Sequence, residues 1–192
     1  MTVRPLRADA ERTVRTILEA AERVLSRNPS ASMEEIASAA GVARTTVHRR
    51  FATREALVMS MKTWASEQLA SAVDEARFDT APPLVALYQA TANALRVKVS
   101  GGFAMNTAAA ASSESDEIMA GVVASCDRLF GRLQQAGALR PDVDLVWARR
   151  VYYALLHEVA QSEDADRTDL DTLATQVVDT LLRGIGTPAA QL

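Results

Sequence analysis

The chain has 192 residues, 48% of them hydrophobic and 23% charged, which fits one large globular domain or two modest ones. Its single cysteine, Cys126, excludes a disulfide framework and a thiolate metal site, and its charged start, MTVRPLRADAERTVR, lacks the apolar run of a signal peptide. No stretch approaches the roughly 20 apolar residues of a membrane span, so a cytoplasmic protein with no membrane partner is expected.

The net charge of −3 hides a division. Residues 1–62 hold 11 Lys/Arg against 7 Asp/Glu, and residues 63–192 hold 10 against 17. The basic third is the part expected to meet a polyanion.

In chain order, Val14, Ile17, Leu18, Ala21, Val24 and Leu25 fall at helical spacing and predict a first helix from about Ala8 to Arg27, stopped by Asn28 and Pro29. Arg4, Arg7, Arg12 and Arg15 add a basic N-terminal segment able to follow a phosphate backbone. Ser32-Met33-Glu34-Glu35 reads as a capping box that opens a short second helix, with Ile36, Ala37 and Ala40 on its inner face. Gly41 can take the left-handed conformation that ends it. A third short helix reaches Arg50, with Val42, Val47 and Phe51 pointing inward.

Thr53 then caps a long fourth helix from Arg54 to about Phe78, and TAPP, residues 80–83, turns into a fifth that ends near Val99. Further helices are expected over about 103–111, 116–135, 144–161 and 170–183. With no convincing strand or repeat, the chain reads as all-α with about nine helices. Two helical domains are expected, an N-terminal three-helix one over 1–62 that carries the basic charge and a larger one over 63–192.

The stretch AAGVARTTVHRRF, residues 39–51, carries the functional argument. Helix, glycine-centred turn, helix, with small residues at the crossing, is a helix-turn-helix pattern. The third helix then carries Arg44, Thr45, Thr46, His48 and Arg49 outward, with Arg50 at its end. Arginine can bridge guanine acceptors, threonine offers a hydroxyl and a methyl to bases, and the others can hold phosphates.

Residues 33–58, MEEIASAAGVARTTVHRRFATREALV, resemble the signature of the tetracycline-repressor (TetR) family of bacterial regulators. The matching pieces are Ile36-Ala37, Ala40-Gly41-Val42, His48-Arg49-Arg50-Phe51 and Arg54-Glu55-Ala56-Leu57. The closing VVDTLLRGIG, residues 177–186, resembles the family's last helix. Three positions depart from the pattern: His48 replaces the usual tyrosine, Arg54 the usual lysine, and Ala43 a frequent serine. The resemblance implies that His48 and Arg54 contact phosphates, that operator DNA is the partner, and that the protein is a dimer. A repressor released from its operator by a small, largely hydrophobic effector is the function expected.

For that effector a mostly apolar cavity is expected, lined by some of Trp64, Tyr88, Phe103, Asn106, Met119, Phe130 and Tyr153. Phe103, Asn106, Thr107 and Ala110 form one helical stripe with two polar groups. Dimerisation is expected through the last two helices. Leu170, Leu173, Ala174, Val177, Val178, Leu181, Leu182 and Ile185 make one stripe, and Trp147, Val151, Tyr152, Leu155, Leu156 and Val159 the other, more than one neighbour covers. An enzyme lacks its parts: no serine has a histidine partner by motif, and no glycine-rich phosphate loop exists. Neither His48 nor His157 has metal-ligand spacing, and no cofactor is expected. The competing classes are a DNA-binding protein without a small-molecule effector and a helical protein-interaction scaffold.

Overall fold

The computed structural model describes the backbone of residues 4–187 except 101, 107–111, 163 and 166; the side chains of 4–8, 105 and 106 lie outside the description. Among the described residues the regular elements are helices: α1 (Arg4–Arg27), α2 (Met33–Ala39), α3 (Arg44–Arg50), α4 (Arg54–Glu75), α5 (Pro83–Ser100), α6 (Gly102–Asn106), α7 (Ser113–Gln135), α8 (Leu145–Ala160) and α9 (Leu170–Ile185). None is long and apolar enough to cross a membrane. The chain divides into two compact units, Met1–Ala65 with Gly101–Ser113, and Ser66–Ser100 with Glu114–Leu192. Helix α4 runs through the boundary between them.

In the first unit, Ile17, Leu18, Ala21 and Leu25 of α1 pack with Ile36 and Ala37 of α2, Val47 of α3, Phe51, and Leu57 and Met61 of α4. Ala104 of α6 joins this core. The turn from α2 to α3 needs glycine for its backbone rather than for space. Gly41 sits at φ +66°, which side chains rarely adopt, yet nothing would touch an added Cβ there.

The expected capping box forms. Ser32 N–H donates to Glu35 Oε2 at 2.7 Å, and Glu35 N–H donates to Ser32 Oγ at 3.2 Å. These bonds to Ser32 hold the Glu35 carboxyl below its ordinary 4.5. A lowered folded-state pKa means that its stabilisation is present above the ordinary glutamate range and is lost as pH falls through the lowered value. Exchange protection of the Ser32 amide should therefore fall on acidification through that range. A Glu35→Gln protein should lose that pH dependence; an unchanged acid limb would contradict the assignment.

Helix α4 ends at Glu75, three residues short of the expected Phe78. The reason is local: Arg77 adopts φ +51°, and the Arg132 guanidinium draws the Phe78 and Ala81 carbonyls toward α7. Helix α6 covers Gly102–Asn106, and the rest of the helix expected there, 107–111, lies outside the described residues.

In the second unit α9 packs against α5 and α8. Its apolar stripe, Leu173, Ala174, Val177, Val178, Leu181, Leu182 and Ile185, is buried within the single chain. This corrects the expectation that the stripe is left over for a second subunit. Helix α5 offers a buried surface of small side chains, Ala86, Ala90, Ala92 and Ala94, which allows close helix approach. Helix α8 likewise buries Ala148, Tyr152 and Leu156, and its exposed large apolar side chains are Val146 (54% exposed) and Trp147 (58%).

Candidate nucleic-acid interface

Helix α3 turns a single side chain, Val47, fully into the core. Burial of one position per two turns sets the face, so Arg44, Thr45, His48, Arg49 and Arg50 are exposed and Thr46 is half-buried. Six sequence-predicted contacts thus share one short helix seated on α2. Arg12 and Arg15 of α1 are exposed in the same unit. Arg4 and Arg7 lie in the first turn of α1, and their side chains fall outside the described residues.

Arg44 is held by Glu34 of α2, Nη1 to Oε2 at 3.2 Å, with the two side chains 63% and 70% exposed. An ion pair this exposed contributes about 0.2–1 kcal/mol at most. It orients the arginine at the start of α3 and is weak enough for a stronger acceptor to displace. Arg54 is placed differently: it is half-buried, and its guanidinium donates to the backbone carbonyls of Ala31, at 2.9 Å, and Pro29.

A buried carboxylate that the sequence reading passed over organises the other side of this unit. Glu22 of α1 is 4% exposed. Its Oε1 accepts from Phe103 N–H at 2.6 Å and from the Ser26 hydroxyl at 3.1 Å, and its Oε2 accepts from Ala104 N–H at 3.1 Å. The carboxylate meets the unpaired amides at the start of α6, where negative charge is favoured. A signal for it existed, because Glu22 falls between Leu18 and Leu25 on the buried face of α1.

Of the seven expected cavity residues, Trp64, Phe103 and Asn106 fall in the first unit and Tyr88, Met119, Phe130 and Tyr153 in the second. Trp64 and Phe103 are partly buried against the core of the first unit. Asn106 has its side chain outside the described residues, and Thr107 and Ala110 of the same stripe lie outside them altogether.

The remaining four belong to the second unit. Phe130 is fully buried and packs 5.7 Å from the Tyr152 ring, and Met119 is half-buried on α7. Tyr88 donates to Asp179 Oδ1 at 2.6 Å; burial and that carboxylate push its phenol up to about 12. It lines an open groove of about 370 Å³ between α5 and α9 with Asn93, Arg96, Asp171 and Thr175. Tyr153 lies under the Arg149 guanidinium, 5.5 Å from the ring centroid, and its hydroxyl is buried without a hydrogen-bond partner among the described residues.

His157 is exposed at the last turn of α8. Burial raises the Cys126 thiol, which leaves it a packed hydrophobe rather than a reactive thiolate. No group of three or more His, Cys, Asp or Glu among the described residues could hold a metal ion.

Comparison with known proteins points the same way as the α3 surface. Residues 17–61 match the model of bacterial regulatory proteins, tetR family. The chain is 29% identical over 176 residues to the HTH-type transcriptional repressor LfrR of Mycolicibacterium smegmatis, across 90% of this chain and 92% of that protein. The crystal structure of LfrR from Mycobacterium smegmatis in complex with proflavine superimposes with a TM-score of 0.70 at 27% identity, over 92% of this chain and 98% of that one. FadR of Bacillus subtilis, solved with stearoyl-CoA, has the same TM-score, 0.70, at 20% identity over 88% and 98%, which is a likeness of fold.

Proposed function

Since the chain belongs to the TetR family of bacterial regulators, we propose that it is a dimeric, ligand-responsive repressor that binds operator DNA in the cytoplasm and has no enzymatic activity. The observation that carries this reading is the exposed basic face of α3, which Val47 and the following Phe51 seat on the core of the first unit. Arg44 and Thr46 read bases, while Thr45, His48, Arg49 and Arg50 hold the backbone. Arg4 and Arg7 extend that backbone contact along α1. Two copies of α3 sit in successive major grooves, about 34–36 Å apart.

The dimer forms through the outer faces of α8 and α9. Trp147 and Val146 are the exposed apolar side chains there, and a twofold axis lets each copy cover the other's. The effector is an apolar, aromatic or polycyclic molecule. LfrR was crystallised with proflavine, itself a planar tricyclic aromatic, which supports an aromatic effector. Because α4 begins beside α3 and continues into the second unit, displacing it changes the spacing of the two recognition helices.

Genomic fragments retained by the protein should share one near-palindromic sequence. Proflavine serves as a probe of the effector site. A coupling of about 1–3 kcal/mol changes operator affinity roughly 5–150-fold, and linkage requires operator to weaken proflavine binding by the same factor. Equal proflavine affinity with and without operator would refute release by such a ligand. Absence of any selected sequence would leave the scaffold reading instead.

A further inference from the structure

Arg54 occupies the position where the resemblance implies a phosphate contact, yet its guanidinium is spent on the chain's own backbone. One terminal nitrogen donates to Ala31 O at 2.9 Å and the other to Pro29 O. Both carbonyls belong to the turn between α1 and α2. That turn is internally fixed. Asn28 Oδ1 accepts from the Ser30 hydroxyl at 2.7 Å, Ala31 N–H donates to Asn28 O at 3.0 Å, and Ala31 is 2% exposed.

The next residue, Ser32, is the N-cap of α2, so the Arg54 fork joins the first turn of α4 to the beginning of α2. The same end of α4 follows α3 directly in the chain, across residues 51–53. Thr53 Oγ1 accepts from Ala56 N–H at 3.1 Å, and Phe51 is buried in the core. Helix α3 packs on α2. The recognition helix is thereby held beside two elements that pack in one core and that one planar guanidinium also ties together. A lysine at this position carries the same charge but a point-like head, without two rigidly parallel donors.

We propose that Arg54 is a positioning residue: it aims α3 by clamping the 28–31 turn to α4, and does not neutralise a phosphate. This rests on the operator-binding reading above. The two roles separate in the salt dependence of DNA binding, because a lost phosphate contact lowers the slope of log K against log salt by about 0.9.

The probes are a duplex selected by the wild-type protein from a random-sequence pool and an unrelated duplex of equal length, titrated over a range of salt below every variant's thermal midpoint. Arg54→Ala should weaken the selected duplex about tenfold, as expected for losing charge-assisted hydrogen bonds that fix geometry. The unrelated duplex and the salt slope should hardly change. Arg54→Lys should also lose discrimination between the duplexes, while Arg49→Ala should lower the slope by about 0.9.

Three results would overturn the proposal. Arg54→Ala weakening both duplexes alike with a lowered slope makes it a phosphate ligand. Unchanged affinities with only a lower thermal midpoint make it purely structural. Wild-type discrimination in Arg54→Lys shows that charge alone suffices. A wild-type protein that selects no duplex removes the operator-binding reading itself, a failure distinct from all three.

Discussion

Replacing Arg44 and Arg49 together by alanine is expected to abolish operator binding at physiological salt while leaving the protein folded. Both side chains are exposed on α3, and among the described residues their one ion-pair partner is the exposed Glu34 carboxylate, on Arg44. The folding cost should stay within the about 0.2–1 kcal/mol of such a pair. The cost to binding is larger for a physical reason. Each base or phosphate contact removed is worth about 1–3 kcal/mol, so two should reduce affinity roughly 30-fold or more. Fluorescence anisotropy with the selected duplex, beside thermal melts of both proteins, measures the two effects separately. A double variant that kept its operator would show that α3 is not the recognition helix.

Elements whose cause is local could be read along the chain. Ser32 and Glu35 signal the start of α2, and Asp144 and Asp169 cap α8 and α9 by accepting from Trp147 N–H at 2.6 Å and Thr172 N–H at 3.1 Å. Gly41 marks the turn because its backbone is left-handed. The exposed face of α3 follows from which residue in seven is apolar enough to bury, and Val47 answers that.

What could not be read was the identity of neighbours. Periodicity shows that α9 has an apolar face, but one face is compatible with α5 of the same chain or with a second subunit; the structure gives it to α5 and α8. The same ambiguity affected the aromatics. Nothing in their spacing separates Trp64 and Phe103, which pack on the first unit's core, from Phe130 in the second. Arg54 is a similar case, since a cation at a helix start suits a phosphate as well as two carbonyls 23 and 25 residues earlier.

Removing the Glu22 carboxylate should be the most damaging single change to the first unit. Burying a lone carboxylate is costly, and replacing a buried ion can even stabilise a protein when nothing is left unpaired. Here something is left unpaired. Glu22→Ala strands the Phe103 and Ala104 amides, the latter on a residue that is 0% exposed, and deprives Ser26 of its acceptor. An unsatisfied buried group costs about 1–3 kcal/mol, so two amides set the scale at roughly 2–6 kcal/mol before relaxation. Glu22→Gln decides the sign. It keeps the shape but offers one oxygen and one NH₂ to two N–H donors, so one donor faces another. Urea titration should therefore find both variants destabilised, and amide exchange should show protection lost first at Phe103 and Ala104. If Glu22→Gln matched or exceeded the wild-type stability, the carboxylate would be a tolerated charge, and something other than Glu22 would hold α6 in this unit.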